Sequence, residues 1–180
     1  MSKVSFQSPK GELRWVFIAA PGKLNNLNGK HEYTASVSCS MEEGFYAKEA
    51  IDKLWEQEKP NGAKEPKSTG YKIDGETITF NFKTQTTYPS GDNKEIRVYN
   101  AKAEQIKLPS GKKIGNGSRG RVSGIASVYD AGPAARGVTL YLDAVQLVKY
   151  VEYDSGDSFK AEEDGFEGFG EVEFEPIKLD

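Results

Sequence analysis

The sequence has few of the side chains that build covalent or metal-held sites. Cys39 is its only cysteine, so no disulfide can form within the chain, which fits a reducing compartment. His31 is its only histidine, and no cysteine lies near it at ligand spacing. We therefore expect His31 to be a surface or structural residue. We expect neither a metal site nor a Ser–His–Asp triad.

Long apolar runs are also missing. The longest, Trp15–Ala20, is far shorter than the roughly 20 residues needed to span a bilayer. The first residues contain no apolar stretch of the kind found in secretory signals, so we expect no export. With 37% hydrophobic residues and a mean hydropathy of −0.63, the composition predicts a soluble globular protein with no membrane partner.

Positive charge is scarce at the C-terminal end. Residues 152–180 contain eleven acidic residues and two lysines, a net charge of −9. Because the whole chain carries −3, residues 1–151 carry +6. A basic body favours a polyanionic partner. A tethered acidic tail can occupy the same surface, recruit a basic protein, or only keep the chain in solution.

Strand patterns dominate the basic body. In Thr77–Tyr88, apolar and polar residues alternate, and Ser90–Asn93 predicts a hairpin turn to a returning strand. In residues 137–151, the alternation of apolar and polar residues shifts by one position near Asp143, which predicts a β-bulge. Gly115–Gly120 matches the dinucleotide-binding pattern G-x-G-x-x-G, but a strand pattern follows it instead of a helix, so we predict a tight turn. The predicted strands are 13–20 (buried on both faces), 32–38, 77–88, 95–99, 119–129 and 137–151.

One helix is predicted, beginning at Ser40. Ser40 and Glu43 have the spacing of a capping box, in which each side chain bonds the backbone N–H of the other. Pro60 and Gly62 end the helix. Its apolar face is formed by Ala47, Ala50, Ile51 and Leu54, with Tyr46 and Trp55 at the margins. Many strands, one helix and Gly-rich turns predict a mostly antiparallel barrel, although the pattern alone does not exclude a sandwich.

Basic residues are interleaved with aromatic residues on strands that look exposed. Lysine and arginine neutralise phosphates, and aromatic rings stack on unpaired bases at about 1–3 kcal/mol per base. The alternative is that these side chains only solvate the sheet. Clustered acids are confined to the tail, where nothing fixes the geometry that catalysis requires, so we expect no enzyme and no cofactor. The pattern predicts a surface for a single-stranded nucleic acid with Lys83, Arg97, Tyr99, Arg119, Arg121, Tyr129 and Arg136.

Taken in order, these segments resemble a known family. The chain is similar to the replication single-stranded DNA-binding proteins of short-tailed bacteriophages, an OB-fold family with an acidic C-terminal tail. The resemblance covers residues 1–150 discontinuously. It rests on Arg14–Pro21, Glu32–Ser38, the helix at 42–58, Thr77–Lys83 and Tyr141–Tyr150.

The resemblance implies a mostly β, OB-fold-like antiparallel barrel in residues 1–151 and an acidic, flexible partner-binding tail in residues 152–180. It implies a monomer or homodimer that coats single-stranded DNA during phage replication and recombination, in the cytoplasm of the bacterial host. By position, Lys3 and Lys30 join Lys83 as groove cations, and Tyr129 is a stacking residue. Trp15 and Phe17 match first-strand aromatics with core or binding roles.

The resemblance also implies that the tail contacts DNA polymerase and helicase–primase and competes with DNA. The predicted partner-binding residues are Glu162, Glu163, Asp164, Phe166, Phe169 and Phe174. The sequence departs from the family at Gln85, where a ring is expected, with Tyr88 further along, and at its last residues, which lack an aromatic side chain. Two other functions stay open: a β-rich phage structural or adaptor protein with an acidic docking tail, and a nuclease.

Overall fold

Ten strands and one helix form the part of the chain that can be described. The structure is a computed structural model that describes residues 3–109 and 111–153, together with Gly165, Phe166 and Gly168. In chain order the elements are β1 (Lys3–Gln7), β2 (Gly11–Phe17), β3 (Lys23–Asn25), β4 (Lys30–Ser40), α1 (Met41–Glu58), β5 (Tyr71–Asp74), β6 (Thr77–Gln85), β7 (Arg97–Tyr99), β8 (Gln105–Ile106), β9 (Arg119–Asp130) and β10 (Arg136–Lys149).

Five of these strands form a closed barrel. Hydrogen-bonded pairs run from β9 to β2, β4, β6 and β10, and β10 pairs again with β9 along almost its whole length. All pairs in this circuit are antiparallel except β6 with β10. The predicted OB-fold-like barrel with a single helix is therefore confirmed, and the sandwich is not. No described helix has the length and apolar character needed to cross a membrane.

The strand β10 bends at the predicted bulge. Its register against β9 shifts between Leu142 and Ala144. Before the shift its other edge pairs with β6, and after the shift it pairs with β7, in both cases parallel. The bulge therefore lets one strand serve two neighbours in succession, which is how bulges bend strands in barrels.

The predicted hairpin between β6 and β7 is wrong. The turn itself forms, since the Tyr88 N–H donates to the Asp92 carbonyl at 2.8 Å, but only one bridge, Thr87–Asn93, connects its arms. One edge of β6 is occupied by β4, and the other is shared by β5 and β10. Because β6 has no free edge, β7 pairs with β10 and β8 instead.

The barrel interior is filled by large apolar side chains. Leu13, Phe80, Phe82 and Leu140 are almost fully buried. The ring of Phe6 lies 5.9 Å from the rings of both Phe80 and Phe82, which fastens β1 to this core. Burial of such side chains supplies the main driving force for folding, at about 25 cal/mol per Å² of apolar surface.

The helix α1 begins and ends where predicted but is capped differently. The Glu43 N–H donates to Ser40 Oγ at 3.1 Å, whereas the Glu43 carboxylate accepts from the Ser40 hydroxyl at 2.9 Å instead of from its backbone. Ser40 is the last residue of β4 and pairs with Thr77, so its backbone belongs to the sheet. Trp55, expected at the margin of the helix, is 3% exposed and donates from Nε1 to the Lys64 carbonyl.

The first turn of α1 approaches the barrel closely at Gly44. A Cβ built at Gly44 meets the side chain of Ile78 and comes within 3.2 Å of Cys39 Sγ. Cys39 is buried, and burial, aided by the nearby negative charge of Glu43, raises the pKa of its thiol. Glycine therefore sets the distance between helix and sheet.

Gly44→Ala should destabilise the protein by about 1–3 kcal/mol, because the added methyl group overpacks this contact. At an exposed helix position, a Gly→Ala change would stabilise the protein by up to about 1 kcal/mol. The sign of the change in unfolding free energy therefore distinguishes a packed Gly44 from an exposed one. Urea unfolding followed by far-UV circular dichroism measures the effect. Lys53→Ala, on the exposed face of α1, is the control and should stay within about 0.5 kcal/mol of the parent. A stabilising Gly44→Ala would contradict the close contact.

Candidate nucleic-acid interface

A groove of about 580 Å³ opens where β2, β4, β6 and β10 approach the end of β9. Two of its lining residues are lysines and none of them is acidic. It is therefore a surface on which an anion meets positive charge and no carboxylate. The lining residues are Trp15, Lys23, Thr34, Ser36, Ser68, Gly70, Tyr71, Asn81, Phe82, Lys83, Tyr129, Val138, Thr139 and Leu140.

Strand register places Lys83 at the middle of this surface. Lys83 pairs with Thr34 on one side and with Tyr141 on the other, and its side chain is exposed. One step along the strands, Ser36 Oγ donates to Asn81 Oδ1 at 2.7 Å. This bond engages the Ser36 proton and the Asn81 amide oxygen, whereas the Asn81 amide N–H groups take no part in it.

Trp15 lies on the groove and not in the core. It is 58% exposed, so the prediction that residues 13–20 are buried on both faces is wrong here. The register of β2 against β4 shifts between Arg14 and Phe17, and Trp15 has a φ of 52°. That conformation is rare for a bulky residue and costs on the order of 1–3 kcal/mol.

Two hydrogen bonds hold Trp15 in this conformation. Its N–H donates to Asn116 Oδ1 at 3.0 Å, and its carbonyl accepts from the Thr34 hydroxyl at 2.9 Å. Asn116 lies in the predicted tight turn, which is confirmed: Gly117 has a φ of 96° and strand β9 follows at Arg119. The glycine-rich segment therefore positions an aromatic side chain and is not a dinucleotide site.

Tyr129 lines the same groove from the end of β9. It is half-buried and pairs with Gly137 of β10. Arg136 closes this hairpin, because its Nε lies 2.8 Å from Asp130 Oδ1. The Arg136 guanidinium, together with the Gly132 N–H, lowers the pKa of the Asp130 carboxyl. The structure thus gives the predicted DNA residue Arg136 an ion-pair partner that fixes the loop beside Tyr129.

The Tyr71 side chain is hydrogen-bonded to helix α1. Its hydroxyl donates to Asp52 Oδ1 at 2.7 Å, and Lys48 Nζ contacts Asp52 at 2.7 Å. Burial and then the hydrogen bond to Asp52 raise the pKa of Tyr71. Tyr71 therefore connects the groove to α1 and is less free to stack than Trp15.

Three other predicted residues form a separate cluster. Gln146 of β10 pairs with Arg121 of β9 and with Tyr99 of β7, and Arg97 donates to the Tyr99 hydroxyl at 3.4 Å. Arg119 lies further along β9, opposite Lys149. Sequence reasoning treated this cluster and the groove as one site, and the structure places them on different stretches of β10.

The remaining predicted residues lie at the margins or outside the described part of the chain. Lys3 pairs with Ser127, whose partner Thr139 lines the groove. Lys30 is exposed at the start of β4, four residues before Thr34. In the tail, Phe166 is 77% exposed. The other predicted tail residues fall outside the described residues: Glu162, Glu163, Asp164, Phe169 and Phe174.

The first residues of the predicted tail contact the barrel domain. Lys112 Nζ lies 2.7 Å from Glu152 Oε1, and the Tyr153 N–H donates to the Lys113 carbonyl at 3.0 Å. The first residues assigned to the tail therefore contact residues 112 and 113. Within the described ranges, no group of three His, Cys, Asp or Glu side chains could hold a metal ion, and His31 is exposed.

Sequence reasoning missed Lys23 and Tyr141. Lys23 lies in none of the predicted strands, but it begins β3 and its Nζ lies 5.8 Å from the centre of the Phe17 ring. Tyr141 is 42% exposed and adjacent to Lys83. The alternation of apolar residues at 138, 140 and 142 already placed Tyr141 on the outer face, and that signal could have identified it.

Comparison with solved structures finds the same architecture in phage proteins. The chain matches gp2.5, a single-stranded DNA-binding protein encoded by bacteriophage T7, with a TM-score of 0.68 and 22% identity, covering 90% of this chain and 100% of that one. It matches the single-stranded DNA-binding protein from bacteriophage Enc34, in complex with ssDNA, with a TM-score of 0.60 and 13% identity, covering 83% and 88%. This chain has the fold of these phage proteins. No family model and no curated protein matches the sequence.

Trp15→Asn should leave stability within about 1 kcal/mol of the parent, although a large aromatic side chain is lost. Asparagine tolerates positive φ, so relief of strain offsets the small burial of Trp15. Trp55→Ala, which removes the buried tryptophan, should cost about 3–5 kcal/mol. Urea unfolding compares the two. A loss as large as that of Trp55→Ala would show that Trp15 is a structural residue.

Proposed function

We propose that this protein is a non-catalytic single-stranded DNA-binding protein that coats its ligand without strong sequence preference. The observation that carries the proposal is the groove that Trp15, Tyr129, Lys23 and Lys83 line together, with no acidic lining residue. Exposed rings stack on bases, and lysines neutralise phosphates. Because bases in a duplex have no free faces, this combination favours an unpaired strand.

Weak sequence preference follows from the same surface. Stacking accepts every base, because each base has an aromatic face. The polar groups at the groove include Ser36 and Asn81, which are bonded to each other, and the Thr34 hydroxyl, which donates to the Trp15 carbonyl. The Ser36 and Thr34 hydroxyl protons are therefore engaged within the protein, which limits hydrogen-bond readout of a base edge to the remaining polar groups, such as the Asn81 amide N–H groups.

Solved structures with the same fold support this function. The Enc34 protein with the same fold is in complex with ssDNA, and gp2.5 is a single-stranded DNA-binding protein. We extend that ligand to this chain because its own groove carries the required side chains. The proposed setting is phage DNA replication and recombination in the cytoplasm of the bacterial host, as a monomer or homodimer.

The acidic tail has two proposed roles. It recruits replication proteins, namely DNA polymerase and helicase–primase, through its carboxylates and phenylalanine rings, and it competes with DNA for the cationic surface. Its charge supports both roles, since residues 154–180 carry ten acidic residues and two lysines, a net −8 beside a basic body. Glu152, two residues before this segment, contacts Lys112 and so brings the start of the segment to the body.

Removing one ring or one cation from the groove should weaken binding in different ways. Tyr129→Ala and Trp15→Asn should each cost about 1–3 kcal/mol in affinity for oligo-dT at every salt concentration, because each removes one stacking surface. Lys83→Gln should weaken binding and also reduce the slope of log affinity against log salt by about 0.7, because it removes one phosphate contact. Fluorescence anisotropy of a labelled oligonucleotide measures both quantities.

The control for these variants is Lys53→Gln on α1, which removes one exposed charge away from the groove and should change the slope little. Tryptophan fluorescence gives a second readout: DNA should quench Trp15 and leave the buried Trp55 unaffected. If unmodified protein ignores oligo-dT at low salt, the structural or adaptor function is favoured. Magnesium-dependent loss of the oligonucleotide would favour a nuclease.

Deleting residues 154–180 should tighten DNA binding by about tenfold at low salt, because it removes a tethered polyanion. The deletion begins after Tyr153, so that the contacts of Glu152 and Tyr153 with the body are kept. The gain should shrink as salt screens the tail. A chain with Glu162→Gln, Glu163→Gln and Asp164→Asn separates charge from length and should show part of the gain. Equal affinity with and without the tail would exclude competition.

A further inference from the structure

The outer face of β10 connects the groove to the second cationic cluster. Tyr141, beside Lys83, is the last groove neighbour on this strand, and Gln146 is the centre of the cluster. Both side chains lie on the side of β10 that faces away from the core, since Leu140, Leu142, Val145 and Leu147 fill the interior. The two surfaces therefore belong to one face of one continuous strand.

The cluster is an ordered surface. Val98 is buried, so its neighbours Arg97 and Tyr99 point outward from β7. Gln146 Nε2 lies 3.3 Å from the carbonyls of both Asn100 and Ala101, which fixes its amide between the strands. The half-buried Tyr99 thus has Arg97 two residues away on its own strand and Arg121 across Gln146 on β9, and a ring with arginines on both sides of β10 is a combination that binds a base and its flanking phosphates.

The stretch between groove and cluster carries both signs of charge. Asp143 is exposed at the bulge and shares a small cavity of about 240 Å³ with Lys94, Glu95 and Arg97. Lys94 Nζ lies 2.8 Å from Thr84 Oγ1 and 5.2 Å from the centre of the Tyr88 ring, which is 52% exposed. A strand crossing here meets another aromatic ring, but it also meets the carboxylates of Asp143 and Glu95.

We infer that Arg97, Tyr99 and Arg121 form a second DNA subsite, reached by a strand that leaves the groove over Tyr141 and follows β10. The inference rests on the proposed function. Tyr141 and Gln146 are five residues apart, or about 16 Å along a strand. A stacked strand rises about 3.4 Å per nucleotide, so the separation corresponds to about five stacked nucleotides. Because the path from Tyr141 to Gln146 alone takes about five nucleotides, a short oligonucleotide that is bound in the groove does not extend to the cluster.

Oligonucleotide length tests this geometry. Full-length protein is titrated with oligo-dT of about 5 and about 15 nucleotides, which lie near the two ends of known OB-fold site sizes. The double variant Arg97→Gln/Arg121→Gln should bind the long oligonucleotide about tenfold more weakly and the short one within about twofold of the parent. Tyr99→Ala should show the same length dependence. Lys83→Gln should weaken both lengths.

Controls separate the subsite from general charge and from folding. Lys53→Gln/Lys64→Gln removes two exposed charges beside α1 and should affect the two lengths equally and weakly. Asp143→Asn should tighten binding of the long oligonucleotide only, because it removes an anion from the path. Circular dichroism checks that each variant is folded, and the single variants Arg97→Gln and Arg121→Gln replace the double variant if it is not.

The outcomes are distinguishable. Equal weakening of both lengths by the cluster variants would place Arg97 and Arg121 in the same site as Lys83 and overturn the inference. Unchanged affinity at both lengths would assign the cluster to solvation of the sheet and also overturn it. Failure of the unmodified protein to bind either oligonucleotide would contradict the proposed function itself.

Discussion

The closure of the barrel by β10 is the constraint on which the rest of the structure depends. β10 pairs with β9 on one edge and with β6 and then β7 on the other, and the bulge near Asp143 permits the exchange. Without that bend, β10 would keep a single neighbour on this edge. Its apolar side chains beyond residue 143 would also point away from the core instead of into it. The same bend separates the groove from the cationic cluster, so one backbone irregularity fixes both the closure and the layout of the outer surface.

The two faces of the same strands differ sharply in burial. The inward side chains, such as Phe80, Phe82 and Leu140, are almost completely buried, whereas the outward neighbour Lys83 is exposed. Trp15 departs from this pattern, because its side chain is large and aromatic and yet faces outward. Its backbone has a positive φ. A strained, exposed tryptophan contributes little to folding and persists because Asn116 and Thr34 hold its backbone. Such strain is common at functional positions.

The sequence predicted most of the fold because periodicity reports which side chains face the core. It located the helix, the bulge at Asp143 and the tight turn before β9, each of which depends on local chemistry. It failed where the outcome depended on distant neighbours. The pairing of β7 with β10 follows from the occupied edges of β6, and the exposure of Trp15 follows from a bond to Asn116, about a hundred residues away. The resemblance named Trp15 and Tyr129, but only the folded chain places them in one groove with Lys23 and Lys83.

Cys39 offers a practical route to labelled protein. It is the only cysteine in the sequence, it is buried beneath the first turn of α1, and burial raises the pKa of its thiol. A buried, protonated thiol reacts slowly with maleimide or iodoacetamide reagents. A second cysteine introduced at a solvent-facing loop position can therefore be modified selectively, with no need to replace the native one, and a fluorophore or spin label attached there would report on the occupied and empty states of the protein.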